Sequence, residues 1–510
     1  MTSTLSEEAR RHSPRQLVAA SIGNLVEWYD WYAYSFLAIY FATQVFPTGT
    51  GLTALLNTFA IFAVGFFFRP IGGLLMGALA DRIGRKPALT FTILAMGFGS
   101  LMIAVLPTHA MVGVLSPILL VVARCIQGLS AGGEFAASTT FLVESAPDGR
   151  RGLFSSFQYV SAGQLIASGL GAILANALSE TQMGSWGWRI AFGFGALLSL
   201  VGFIIRAGAH ETLADVDDMR TGKTKRPGIF DAILHYPKQS LLIVGITIAG
   251  TIAYYTWTTY LPTYANTYAG IPKATALTVG TISLVFFLIL QPIAGMVSDR
   301  VGRKPLLIIF AAAFVLLTVP GLSALNGGGF GRLLLVQCVG MIFLSLYTSI
   351  AAAVNAETIP SRVRASGIGF PYSLSVALFG GTAPYVGTWL KDRDLGGVFP
   401  WYVSALCLIS LLVYILRYGK GHTNPSRKPD PDRDWSDRRD PSRRPAGLLA
   451  VPPRAVVGPD RGGGVRPAAC GCRDLRPGPA DRVPVAAPAV AVPVPCRRHR
   501  QVRAARLRLR

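Results

Sequence analysis

Residues 74–86 read LLMGALADRIGRK, and residues 293–304 read IAGMVSDRVGRK. In both, an apolar run ends on the same punctuation: Gly77, Asp81, Arg82, Gly84, Arg85 and Lys86, then Gly295, Asp299, Arg300, Gly302, Arg303 and Lys304. The shared pattern, G-x-x-x-D-R-x-G-R-K, is too specific to arise from composition. Two copies set between long apolar runs imply an internal duplication, and a self-similar chain is read as a repeat first.

The apolar runs set the fold class. The 510 residues are 51% hydrophobic and only 15% charged, and the mean hydropathy is +0.44. An ordinary soluble chain carries about 25% charged residues. Uncharged apolar runs of roughly 18 or more residues mark membrane helices. Twelve are expected here, at about 17–46, 55–80, 87–107, 114–143, 153–178, 187–207, 238–266, 274–298, 305–325, 332–356, 364–390 and 398–417. The sequence therefore predicts an all-α membrane protein with two six-helix halves, 17–207 and 238–417. A polar connector, 208–237, joins them. The repeated loop follows spans two and eight. An even number of spans between the copies puts both on one membrane face, as in a parallel repeat about an axis along the membrane normal.

Charge gives the orientation. The N-terminal segment 1–16, both repeated loops, Arg150, Arg151, Arg362, Arg364 and the connector collect Lys and Arg on one face. The other face has only Arg189, Lys273, Arg332, Lys391 and Arg393. The positive-inside rule makes the first face, with both termini, cytoplasmic. The first apolar run is too long and too studded with polar residues for a signal peptide, so it should persist as span one. A net charge of +22 invites a nucleic-acid reading, but 21 Lys and Arg against 8 Asp lie in residues 420–510 alone. No nucleic-acid partner is expected. The segment 418–510 has no apolar period and is rich in Arg, Pro, Ala and Gly, so it should be a disordered tail. It could bind anionic lipid. The plainer reading is that it has no selected function, since GC-rich DNA read out of frame yields such text.

The six cysteines suggest no disulfide framework and no metal site. Cys125, Cys338 and Cys407 fall in apolar spans, where cysteine acts as a small hydrophobe. Cys470 and Cys472 form only C-x-C.

Charges inside the spans carry the functional signal, because a charge at mid-bilayer costs at least about 2.5–3.5 kcal/mol. Span one holds Asn24, Glu27, Asp30 and Tyr34, whose spacing shares one helix face. Span two holds Arg69 beside Pro70. Span four holds Arg124, Gln127 and Glu134, with Gly128, Gly132 and Gly133 allowing close helix approach. Glu27 and Arg124 each lie about ten residues into their spans and Arg69 about eleven beyond Thr58, or roughly 15 Å, half the hydrocarbon thickness. A purely structural pairing of Glu27 or Asp30 with one arginine is the alternative. Gln158, Tyr159 and Gln164 of span five, Tyr254, Tyr255, Trp257 and Tyr260 of span seven and Gln291 of span eight add amides and aromatics. Each of these is individually weak, since aromatics in membrane helices are more often packing, and Tyr260 could belong to an interfacial belt.

The repeated loop follows another logic. Gly77 and Gly295 admit a neighbouring helix. Asp81 and Asp299 can sit against a helix N-terminus, where the dipole favours a carboxylate. Arg85 and Arg303 can pair with Glu144 and Glu357 at the ends of spans four and ten. Such contacts would form in one conformation and break in another, which marks Gly77, Asp81, Arg85, Glu144, Gly295, Asp299, Arg303 and Glu357 as gating candidates.

Over residues 15–418 these features resemble the major facilitator superfamily, whose loop after spans two and eight carries this pattern. The stretches GNLVEWYDWYAYS (23–35), FFFRPIGGLLMGALADRIGRK (66–86), RCIQGLSAGGEF (124–135), SFQYVSAGQ (156–164) and YYTWTTYLPTY (254–264) resemble its metabolite:proton symporters. Among these the chain is most similar to members that import 2-oxoglutarate, a dicarboxylate. The tail resembles nothing in that family. The resemblance implies a proton-coupled symporter of the bacterial inner membrane, working by alternating access as a monomer. It would be driven by the proton gradient, without a cofactor. Its substrate would be a small dicarboxylate anion such as 2-oxoglutarate, or alternatively shikimate, citrate or a proline/betaine osmolyte. Arg69, Arg124, Gln127, Gln158, Tyr159, Gln164, Tyr255, Tyr260 and Gln291 would bind substrate. Glu27, Asp30 or Glu134 would carry the proton. Glu134 comes first, since it lies about 15 Å along span four from Arg124 on the same stripe. A membrane sensor signalling through the tail is a further alternative. An enzyme is not expected, because no nucleophile–base–orienter set or metal cluster is present.

Overall fold

In a bilayer every backbone polar group must be satisfied within the protein, which leaves helices as the answer for long apolar segments without strand alternation. The computed structural model obeys this. It describes residues 14–418 apart from 48, 84, 133–138, 140–142, 144–145, 148, 159–161, 208–234 and 360–363. The described residues all belong to one compact unit, and the tail expected to be disordered lies, after Tyr418, outside the described residues together with most of the connector.

Each of the twelve expected spans coincides with helix. Spans one to four are Pro14–Val45, Gly51–Ile83, Arg85–Ala104 and Leu115–Ala131. Span five is a short helix, Arg151–Ser156, followed by Ala162–Ala177, and span six is Trp188–Ala207. Span seven runs Pro237–Tyr254 and Leu261–Ala269 around a wider π turn, Tyr255–Tyr260. Spans eight and nine are Lys273–Val301 and Arg303–Ser323. Span ten is Phe330–Thr348 and, after a break, Ala351–Thr358. Span eleven is Arg364–Ser375 and Ala383–Asp392 around a π turn, Val376–Gly381, and span twelve is Phe399–Leu416. Among the described residues seven helices are long and apolar enough by themselves to cross a membrane. Spans three, four and five are shorter apolar helices. Span one carries Glu27 and Asp30.

The packing repeats as the sequence does. Span two packs on four, three on four and six, and one on five and six. Six spans later, eight packs on ten, nine on ten and twelve, and seven on eleven and twelve. Span five meets span eight across the seam between halves, and span two meets span eleven. Exchanging the two halves maps the first of these seams onto the second, as a two-fold relation demands.

Two glycine features position the site. A Cβ on Gly128 would fall on the Gly65 carbonyl, one on Gly132 on the Arg69 carbonyl, and one on Gly72 on the Leu129 backbone. Spans two and four therefore touch backbone to backbone at the level of Arg69, as small residues allow in membranes. Gly302, between spans eight and nine, has φ +95°, a conformation open to glycine at little cost. It lets the chain reverse tightly at the repeated loop.

Candidate functional site

Span one supplies the acids, and spans two and four answer with arginines. Glu27 pairs with Arg69 Nη2, and both side chains are at most 5% exposed. The Arg69 guanidinium also lies 5.6 Å from the Trp31 ring and 5.5 Å from the Phe66 ring. Asp30, one turn on, accepts from Arg124 Nη1 at 3.2 Å and from the Ser100 hydroxyl. Arg124 Nη1 also donates to Gln127 Oε1 at 2.7 Å. The Arg124 guanidinium stands 3.8 Å from the Tyr34 ring centroid and 4.5 Å from that of Trp31. Its Nε and Nη2 have no hydrogen-bond partner among the described residues, so ring faces take the place of acceptors there.

The two pairs occupy different places. Asp30, Ser100, Arg124, Gln127 and Tyr34 all belong to the first half. Glu27 and Arg69 face the second. The Phe66 ring meets Tyr255 of span seven edge-on at 5.2 Å, and Tyr255 lies within electrostatic range of Arg69, Glu27, Tyr32 and Tyr372. Tyr254 donates to Gln164 Oε1 of span five at 2.7 Å and packs edge-on against Trp28 at 5.7 Å. The hydroxyls of Tyr32 and Thr258 are 2.6 Å apart. A buried cation–acid pair, amide and tyrosine hydroxyls thus converge where spans one, two, five and seven meet. Such a set can hold an anion through charge-assisted, bidentate hydrogen bonds.

Other expected residues lie apart. Gln291 donates to Thr348 at 2.7 Å, within the second half. The Tyr260 ring sits on Phe59 at 5.9 Å and Phe399 at 5.5 Å, and its hydroxyl is 3.3 Å from that of Thr388. Gln158 is buried. Glu134, Glu144 and Tyr159 lie outside the described residues, as do the side chains of Asp81 and Arg85 and the surroundings of Gly77. Ser100 and Tyr372 were missed by sequence reasoning. A serine in an apolar span and a tyrosine in a Gly/Ser/Pro-rich one carry no periodic signal.

At one end of the seam the second repeated loop grips the first half. Asp299 accepts from the backbone N–H groups of Gly152 and Leu153 at 2.7 and 2.9 Å and from Arg303 at 2.9 Å. Arg303 reaches Glu357 at 3.6 Å. A Cβ on Gly295 would stand 2.7 Å from the Gly152 carbonyl, so only glycine lets spans five and eight meet so closely. At the other end Asn176 donates to Thr278 at 3.0 Å, and Lys273 faces Glu180 at 3.9 Å. The seam is in contact at both ends.

The sequence pattern of the Major Facilitator Superfamily matches residues 20–284 and 247–456. The chain is 39% identical over 426 residues to the alpha-ketoglutarate permease of Escherichia coli (strain K12), covering 82% of this chain and 97% of that one. It is 32% identical over 404 residues to a putative proline/betaine transporter of Staphylococcus haemolyticus (strain JCSC1435), covering 78% and 86%. Among solved structures it is similar to a partially occluded inward open conformation of the xylose transporter XylE from E. coli. The TM-score is 0.63 at 18% identity, over 78% of this chain and 96% of that one. The last likeness shows the fold alone.

Proposed function

Because the chain belongs to the major facilitator superfamily and is a membrane-embedded transporter of small molecules rather than an enzyme, we propose that it is a proton-coupled symporter importing a small dicarboxylate, 2-oxoglutarate first. The observation that carries this reading is the Glu27–Arg69 pair at the seam, next to Tyr255 of the opposite half. The printed function of the 39%-identical relative supports the substrate class.

The geometry suggests how a proton and an anion could be exchanged. Arg69 is occupied by Glu27 when no substrate is present. A proton on Glu27 removes that competitor, and a substrate carboxylate takes its place on the guanidinium fork. Proton and anion then bind together before the halves rock. Asp30 with Arg124 is a second acid–arginine pair that can work the same way, deeper in the first half. Glu134, outside the described residues, stays the third candidate acid. The orientation that fits the loop charges puts both termini and the connector in the cytoplasm, with the protein a monomer in the inner membrane.

A second reading has its own observation. Trp28, Tyr254 and Tyr255 form an aromatic corner at the seam that suits the cationic end of a zwitterion such as betaine. Uptake of radiolabelled 2-oxoglutarate by membrane vesicles, competed with unlabelled shikimate, citrate and betaine, separates the two. Saturable uptake released by a proton ionophore is expected. Competition by betaine alone, with no 2-oxoglutarate uptake, would overturn the dicarboxylate reading.

A further inference from the structure

Span seven carries the tyrosines of the seam, and its ladder is irregular where they stand. The π turn Tyr255–Tyr260 is followed at once by Leu261–Ala269, with Pro262 in the first turn of that helix. A π rung joins an N–H to the carbonyl five residues back. The rung from residue 262 would reach the Trp257 carbonyl, but proline has no N–H to give. In a membrane a carbonyl robbed of its donor is made good by a neighbouring helix. Here the donor is Gln337 of span ten, whose Nε2 lies 3.1 Å from the Trp257 oxygen. The break in span ten is answered the same way, the Ala353 N–H donating to the Ser155 hydroxyl of span five at 3.0 Å.

Gln337 is 1% exposed, and its Oε1 has no hydrogen-bond partner among the described residues. An amide buried at that cost asks for a reason, and the carbonyl opposite Pro262 is one. Span ten fixes the Trp257 side chain as well. A Cβ on Gly340 would stand 1.8 Å from the indole Nε1, so glycine leaves the room that the ring fills. Phe314 of span nine packs edge-on against that ring at 4.9 Å. Other residues of the turn are held from across the seam. The hydroxyls of Tyr32 and Thr258 are 2.6 Å apart, and the Ser35 hydroxyl donates to the Thr259 carbonyl at 3.3 Å. The turn is thus held by span one of the other half and by span ten of its own.

We propose that Gln337 is a positioning residue of the substrate site. Its amide supplies the hydrogen bond that Pro262 withholds, and so fixes the π turn that sets Tyr254 against Gln164 and Tyr255 beside Arg69. The inference rests on the reading of this seam as the substrate site. A π turn holds one residue more than an α turn, and one residue is about 100° of helix rotation. Losing the π turn would swing the tyrosines away from Arg69 or force Leu261–Ala269 to turn instead. The bonds from span one part when the seam opens there. The bond from span ten lies within the second half and keeps the turn in shape while substrate enters. Gln337 acts through the backbone, not by touching substrate.

The proline offers a test that packing cannot imitate. KM and maximal rate for radiolabelled 2-oxoglutarate are measured in proteoliposomes carrying the wild type, Gln337→Met, Pro262→Ala and the double variant. Methionine nearly keeps the volume and loses the donor, whereas alanine at 262 returns an N–H to the chain. Gln337→Met should raise KM by about three- to tenfold, with the maximal rate per inserted protein within about twofold. Pro262→Ala alone should leave KM nearly unchanged. The double variant should bring KM back to within about twofold of the wild type, a coupling that independent sites do not show. An unchanged KM in Gln337→Met, or a raised KM that Pro262→Ala does not lower, would overturn the positioning role. If Gln337→Met inserts poorly, recovery of both insertion and KM in the double variant supports the role, and failure to recover overturns it. A wild type that carries betaine but no 2-oxoglutarate overturns the dicarboxylate reading alone, and KM for betaine in the same four proteins then decides the role of Gln337.

Discussion

Asp30 and Arg124 meet 3.2 Å apart with at most 1% of either side chain exposed. Breaking such a pair from one side leaves a buried charge without its counter-ion, which costs about 3–5 kcal/mol. Asp30→Asn is therefore expected to lower the melting temperature in detergent markedly, with Arg124→Ala doing the same. The double variant Asp30→Asn/Arg124→Gln should recover much of the lost stability without recovering transport. Recovery of gradient-driven uptake in that double variant would reduce the pair to packing.

Arg69 is expected to behave differently, because it faces the seam. Losing a charge-assisted hydrogen bond costs about 1.5–3 kcal/mol, or roughly 10- to 150-fold in affinity. Arg69→Lys keeps the charge but loses the planar fork. KM for the dicarboxylate should rise by at least tenfold in Arg69→Lys, and Arg69→Ala should be inactive, with both proteins inserted at normal levels. If Arg69→Ala is rescued by Glu27→Gln, the arginine serves only to neutralise Glu27.

Glu27→Gln tests the coupling. A glutamine mimics the protonated acid and removes the carboxylate that competes for Arg69. Substrate-for-substrate exchange should continue, while accumulation against a gradient fails and the pH dependence of KM flattens. Accumulation that survives in Glu27→Gln moves the proton to Asp30 or Glu134, and the same assay on Asp30→Asn and Glu134→Gln decides between them.

Asp299→Asn should loosen one end of the seam. The carboxylate holds the N–H groups of Gly152 and Leu153 as well as Arg303, and charge at a helix N-terminus contributes about 0.3–2 kcal/mol. A cysteine placed at Ser155 should react with an impermeant maleimide several-fold faster in the Asp299→Asn background in inside-out vesicles. An unchanged rate would show that the carboxylate does not hold this end closed.

Glycine contacts make a stability prediction with an internal control. Gly132→Ala and Gly72→Ala force a methyl onto backbone atoms of the neighbouring span, and overpacking costs about 1–3 kcal/mol or more. Both should fall sharply in yield. Gly193→Ala, whose added methyl would meet nothing within 4 Å, should express normally.

Much of this architecture was legible beforehand. Hydropathy marked seven of the spans outright among the described residues, because a long apolar helix advertises itself in about twenty consecutive residues. Glu27, Asp30, Arg69 and Arg124 stood out because charge is so expensive at that depth. Which acid meets which arginine was not legible. Glu27 and Asp30 are three residues apart on one face, and only the crossing of spans two and four decides that Arg69 takes the first and Arg124 the second. Ser100 and Ser155 gave no signal for the same reason: a lone hydroxyl in an apolar helix usually bonds its own backbone. The π turns at Tyr255–Tyr260 and Val376–Gly381 leave no mark in hydropathy either. They follow from tertiary packing, such as the room that Gly380 leaves beside Tyr255 and Thr251.

The buried acids and bases among the described residues are Glu27, Asp30, Arg69 and Arg124, two of each sign, and they are matched in pairs. Moving one elementary charge across a membrane potential of 100 mV is worth about 2.3 kcal/mol. Matched pairs carry no net charge through the field, so these four side chains can reorient without working against the voltage. Adding a proton and a dianion leaves one negative charge uncancelled, whereas two protons restore silence. The number of protons taken up thus sets whether the cell's voltage resists the loaded step or ignores it.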